Sequence, residues 1–135
     1  MCLPEFEIEI SVPFHDVDVM EIVWHGHYVK YFEIARCALL QSIGYDYPEM
    51  KASGFAWPVI DLHVRYPRPA RYGQILKVRA MVREYDPRLR IAYVITDAAT
   101  GERLTKGSSV QVAVDMRTME MQYTAVPALV DRLKT

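Results

Sequence analysis

Residues 27–43 read HYVKYFEIARCALLQSI, and this stretch decides the architecture. At about 100° per residue, Tyr28, Tyr31, Phe32, Ala35, Ala38, Leu39 and Ser42 fall on one face, which predicts a helix over the whole stretch. Lys30, Glu33, Arg36 and Gln41 take the opposite side, with Val29, Cys37 and Leu40 mixed among them. A helix this apolar is covered on more than one side. Gly44 stands where a C-terminal cap belongs.

Upstream, EFEIEISVPF alternates polar with apolar residues and sets Phe6, Ile8 and Ile10 on one face of a half-buried strand. Downstream, YDYPEMKASG predicts a short helical turn ended by Gly54. WPVIDLHVRYP alternates again, with Val59, Asp61, His63 and Arg65 facing away from Ile60, Leu62, Val64 and Tyr66. PRPARYGQ turns the chain, and ILKVRAMVREY and LRIAYVITDA follow as two strands joined at DPR. TDAATGERL turns into LTKGSSVQVAVDM, which reads as the longest strand, and VPALVDRL is a short helix opened by Pro127. One strand, a long helix and then consecutive antiparallel strands describe an α+β domain with its helix on one face of the sheet. The open edges of such a sheet need pairing or cover, and a dimer with a continuous sheet supplies it.

The 135 residues suit one domain, residues 1–135. With 51% apolar and 24% charged residues the chain is globular rather than disordered. A formal charge of -1 gives no overall attraction to nucleic acid or to an anionic membrane surface, so an anionic ligand needs a local basic patch. Cys2 and Cys37 make no disulfide framework and fit a reducing compartment. MCLPEFEIEI carries acids where a secretory signal has cations, and no apolar run approaches the ~18 residues of a membrane span, so a cytoplasmic protein is expected.

Just before the helix, residues 14–28 read FHDVDVMEIVWHGHY, a crowd of titratable groups. A helix N-terminus offers unpaired N–H groups and partial positive charge, which polarise a carbonyl and stabilise an oxyanion. Asp18, in the loop close to that end, could act there as a nucleophile or as the base for a water. Together these are the two halves of an ester- or thioester-hydrolysis site. Aspartates also favour turns and caps, and spacing alone does not separate the two roles for Asp16 and Asp18. GYD and GSS are not nucleophile elbows. His15, His25 and His27 lie on an irregular segment that aims their rings in no fixed direction, so no metal and no cofactor is expected. His63 is structural or pocket-lining.

Glu33 is either a working carboxylate or the partner of Lys30 or Arg36, and Glu21 either caps the loop or alters the site. Arg65, Arg68 and Arg71, with Arg88, Arg90 and Lys106 further on, suit phosphate groups or else form solvated turns. Trp24, Trp57, Tyr66 and Tyr72 are core or interface aromatics that could also line an acyl tunnel.

Phe14-His15-Asp16-Val17-Asp18, Ile22-Val23-Trp24-His25, Tyr28 and Tyr31-Phe32-Glu33 resemble the 4-hydroxybenzoyl-CoA thioesterase family, in particular its YbgC-type acyl-CoA thioesterases. Tyr66-Pro67-Arg68-Pro69-Ala70-Arg71-Tyr72-Gly73 is similar to that family's second conserved stretch. The resemblance implies a hotdog fold, a long central helix wrapped by a curved five-stranded antiparallel sheet, assembled as a homodimer or a dimer of dimers with active sites at the dimer interface. It implies Asp18 and His25 as catalytic residues, with the His25 N–H in the oxyanion site. Substrate contacts fall to Trp24, His27, Tyr28 and Glu33, and coenzyme A contacts to Arg68, Arg71 and Arg90. The implied substrate is a thioester of coenzyme A or of an acyl carrier protein. Phe14 lacks the hydroxyl of the tyrosine found in some members, His27 replaces a frequent asparagine, and Glu21 replaces the usual glycine, whose backbone freedom glutamate resists. Two other functions fit the same pattern: a hydratase or dehydratase of acyl thioesters using His25 or His63, and a non-catalytic binding module.

Overall fold

The computed structural model describes residues 3–124 and 126–133; Cys2 lies outside them. The chain opens with β1 (Glu5–Ser11) and a single 3-10 turn (Phe14–Asp16), and enters the long helix α1 (His27–Ser42). Then come α2 (Tyr47–Ser53), β2 (Phe55–Ala56), β3 (Val59–Arg65), β4 (Ile75–Glu84), β5 (Leu89–Asp97), β6 (Arg103–Gln111), β7 (Val114–Asp115) and α3 (Pro127–Leu133). Both predicted stops act through the left-handed backbone that glycine adopts freely: Gly44 has φ 73° just past α1, and Gly54 has φ 87° as the cap of α2.

Five strands form one antiparallel sheet in the order β1-β4-β5-β6-β3. Alternation decides which residues face the helix. Leu76, Val78 and Ala80 on β4, and Leu89, Ile91, Tyr93 and Ile95 on β5, are buried against Tyr31, Phe32, Ala35 and Leu39 of α1. Phe32 stacks on Tyr93 with centroids 4.5 Å apart and planes within 9°. Gly107 lies opposite Tyr93 on β6, and a Cβ there would overlap the His63 carbonyl oxygen and come within 2.7 Å of the Phe32 ring. The helix can lie this close to the sheet because residue 107 has no side chain.

Two expectations change. The segment read as the longest strand divides into β6 and β7, and β4, with 10 residues, is the longest. β7 pairs with β2 in a separate two-stranded sheet, and strands of two residues are too short to show any periodicity in sequence. The alternation on β3 does not bury one face: Val59, Ile60 and Leu62 are 39%, 50% and 40% exposed. β3 is an edge strand, and α1 leans toward β1 and β4 at the other side of the sheet. Among the described residues no helix is long and apolar enough to cross a membrane.

Candidate active site

Residues 16–24 form a small hairpin immediately before α1. Its turn is closed by the Asp18 N–H donating to Ile22 O at 2.9 Å and by the Glu21 N–H donating to Asp18 O at 2.9 Å. Val17 bridges Val23, and the Trp24 N–H donates to Asp16 O at 3.0 Å. At the tip the Met20 N–H donates to Asp18 Oδ1 at 2.8 Å, which turns the carboxylate into the bend. Glu21 has φ 63°, the left-handed conformation that glycine would supply. Glu21 thus carries a side chain on a backbone conformation that glycine takes freely. The tip is bare and apolar, with Val19 98% and Met20 71% exposed.

The hairpin is held on both sides. On one, Ile22 bridges Arg71 and the Val23 N–H donates to Ala70 O at 2.8 Å, while the Ala70 N–H donates to the buried Tyr28 hydroxyl at 3.0 Å. On the other, Asp16 is 1% exposed and accepts from Lys30 Nζ and from the Tyr31 hydroxyl, each at 2.6 Å. His15 Nε2 and His27 Nε2 stand 3.7 Å and 3.9 Å from its Oδ1. Burial raises the pKa of Asp16, but the Lys30 and Tyr31 hydrogen bonds and the Lys30 charge outweigh it, and the net shift is downward. Tyr31, buried and bonded to that carboxylate, is shifted strongly upward and stays protonated.

Past Trp24 the chain enters α1 through its N-cap Gly26, which has helical φ −73° and ψ −20°. The His27 N–H is taken by Trp24 O at 2.9 Å. Among the described residues no backbone carbonyl accepts from the N–H of His25 or Gly26. The Trp24 indole lies against Gly26, where any Cβ would collide with the ring, and it contacts the rings of His25 and His27 at centroid distances of 4.9 Å and 5.4 Å. Tyr66 donates its hydroxyl to His25 O at 3.0 Å and so fixes the peptide that presents the Gly26 N–H.

Of the residues singled out in sequence, the hairpin and the helix entry gather Asp18, Trp24, His25, His27 and Tyr28, and the Ile22 bridge brings in Arg71. Arg68 and Arg71 line one surface hollow of about 530 Å³, where Arg68 pairs with Glu102 at 3.5 Å. Arg90 sits apart on β5, 3.7 Å from Glu84. Glu33 pairs with Arg36 at 3.1 Å and lies along α1, where both line a cavity of about 600 Å³ with Met50, Phe55, Trp57 and Met116. His63 stands 3.5 Å from Asp61 and lines a hollow with Arg65 and Lys106. Among the described residues no group of three or more histidines, cysteines or acids is arranged to hold a metal. Asp16 is the residue whose environment the sequence did not show. A tyrosine on the apolar face of α1 needed a buried partner for its hydroxyl, and that requirement was the available signal.

The long helix against a curved five-stranded antiparallel sheet is the hotdog fold of known thioester hydrolases. The chain belongs to the thioesterase-like superfamily, whose pattern it matches over residues 12–132. It is 32% identical over 108 residues to YneP of Bacillus subtilis, a protein provisionally named an acyl-CoA thioesterase, covering 79% of this chain and 78% of that one. It is 27% identical over 77 residues to the acyl-CoA thioester hydrolase YbgC of Escherichia coli O6:H1, covering 57% and 58% of the two chains. The DHNA-CoA thioesterase of Staphylococcus aureus superposes with a TM-score of 0.80 at 29% identity, over 88% of this chain and 80% of that one.

Proposed function

We propose that this protein hydrolyses acyl-CoA thioesters with Asp18 as nucleophile or general base. The observation that carries this is the hairpin, whose tip holds the Asp18 carboxylate and whose base runs directly into the α1 entry, where among the described residues the His25 and Gly26 N–H groups have no backbone acceptor. The thioester carbonyl rests on those two donors. Asp18 attacks the carbonyl carbon or takes a proton from a water that does, and the negative charge gathers on the carbonyl oxygen. Collapse of this intermediate breaks the C–S bond and releases the coenzyme A thiol, and on the direct route a water then hydrolyses the acyl-Asp18 anhydride to the free acid. Each well-placed donor to such an oxyanion stabilises the transition state by about 2.7–4 kcal/mol. His25 contributes through its main chain, so its side chain matters less than Asp18.

Trp24 and His27 form the aromatic surface beside the carbonyl, with Tyr28 beneath. Arg71 and Arg68 receive coenzyme A phosphates, and Arg90, engaged by Glu84, is a more distant third contact. The cavity beside Glu33 takes the acyl group. Residues 1–135 act as one domain, and two copies pair through the bare β3 edges. Free-thiol release from a panel of aryl-, short- and long-chain acyl-CoAs tests the proposal. Wild type should turn over at least one substrate and a folded Asp18→Asn almost none; equal rates would remove Asp18 from the mechanism. Hydration of enoyl thioesters without thiol release would assign a different reaction.

A further inference from the structure

Resting on Asp18 as the reacting carboxylate, we infer that Asp16 is a positioning residue that fixes the Asp18 hairpin to helix α1. Its main-chain oxygen and its side chain serve two different elements. The carbonyl accepts the Trp24 N–H at 3.0 Å and closes the base of the hairpin two residues before Asp18. The carboxylate accepts from Lys30 and Tyr31, one turn inside α1, at 2.6 Å each. Asp16 is the one residue of the hairpin whose side chain bonds to the helix that supplies the oxyanion donors.

Apart from its pairing with the returning strand, the leading strand has little else to hold it. Val17 is half-buried, and Asp18, Val19, Met20 and Glu21 are all exposed. The returning strand is held separately, through Val23 and Ala70. Without the Asp16 carboxylate, Asp18 would keep its turn but lose its fixed placement against the helix entry. Acyl-transfer rates depend steeply on such placement, and a displacement of about 1 Å can cost about 100-fold. Burial gives a second reason to assign a role. A carboxylate 1% exposed is costly to desolvate, and here charge-assisted bonds from two successive helix residues offset that cost.

The test compares wild type, Asp18→Asn, Asp16→Asn and Tyr31→Phe, with kcat, KM and thermal midpoint measured on each folded enzyme. Asp16→Asn should lower kcat about 10- to 100-fold while KM stays within about twofold. Tyr31→Phe keeps the Asp16–Lys30 pair and removes one bond, so it should show the same split at smaller size, about three- to tenfold. If Asp16→Asn does not fold, Tyr31→Phe alone decides. A purely structural role would lower the midpoint and leave kcat per folded molecule unchanged, and that result overturns the inference. An inactive Asp18→Asn beside fully active Asp16→Asn and Tyr31→Phe also overturns it while sparing the proposed mechanism. An active Asp18→Asn overturns both.

Discussion

Glu21 donates its N–H to the carbonyl of Asp18 at 2.9 Å while holding φ at 63°. A residue with a Cβ takes on strain of about 1–2 kcal/mol in that region, whereas glycine enters it freely. Glu21→Gly should therefore raise stability by up to about 1 kcal/mol, since the extra freedom of glycine in the unfolded chain offsets part of the relief. The check is a denaturant titration of both proteins. A loss of stability would show that the Glu21 side chain does more for the loop than its backbone costs.

Asp16 links stability to pH. Its native pKa lies below the ordinary aspartate value of 3.8, so the native state binds the proton less tightly than the unfolded chain does. The contribution is complete above that ordinary value and is lost as pH falls through the lower native one. The stability gap between wild type and Asp16→Asn should be constant from neutral pH to about pH 5 and close below pH 3.8. Urea titrations across that range measure it. A gap that widens on acidification would reverse the sign and exclude a charge-assisted Asp16.

Gly107→Ala should destabilise the fold, by about 1–3 kcal/mol or more, because the new methyl meets the His63 main chain and the Phe32 ring together. A backbone neighbour cannot swing aside as a side-chain tip can. The thermal midpoint reports the loss. An unchanged midpoint would mean that α1 is free to lift away from β6.

The sequence made the central helix legible because a 3.6-residue period over sixteen residues has few alternatives, and both glycine stops were readable for the same local reason. Asp18 and the α1 entry were legible as neighbours along the chain. The β2–β7 pair and the bareness of β3 were not, since one depends on contacts between distant short segments and the other on where the helix leans. Asp16 was hidden differently. An aspartate in a loop looks like a turn residue until the helix packs, and only then do Lys30 and Tyr31 come round to meet it.

The bare tip of the hairpin carries one more consequence. Val19 and Met20, 98% and 71% exposed, follow Asp18 at the tip as apolar surface that nothing in a single chain covers. A hydrated carboxylate must shed water before it can attack carbon, so on the proposed mechanism Asp18 would react slowly in a lone chain. Specific activity should then fall on dilution, as whatever covers the tip comes away. On that reading, enzyme concentration would itself set the rate per molecule.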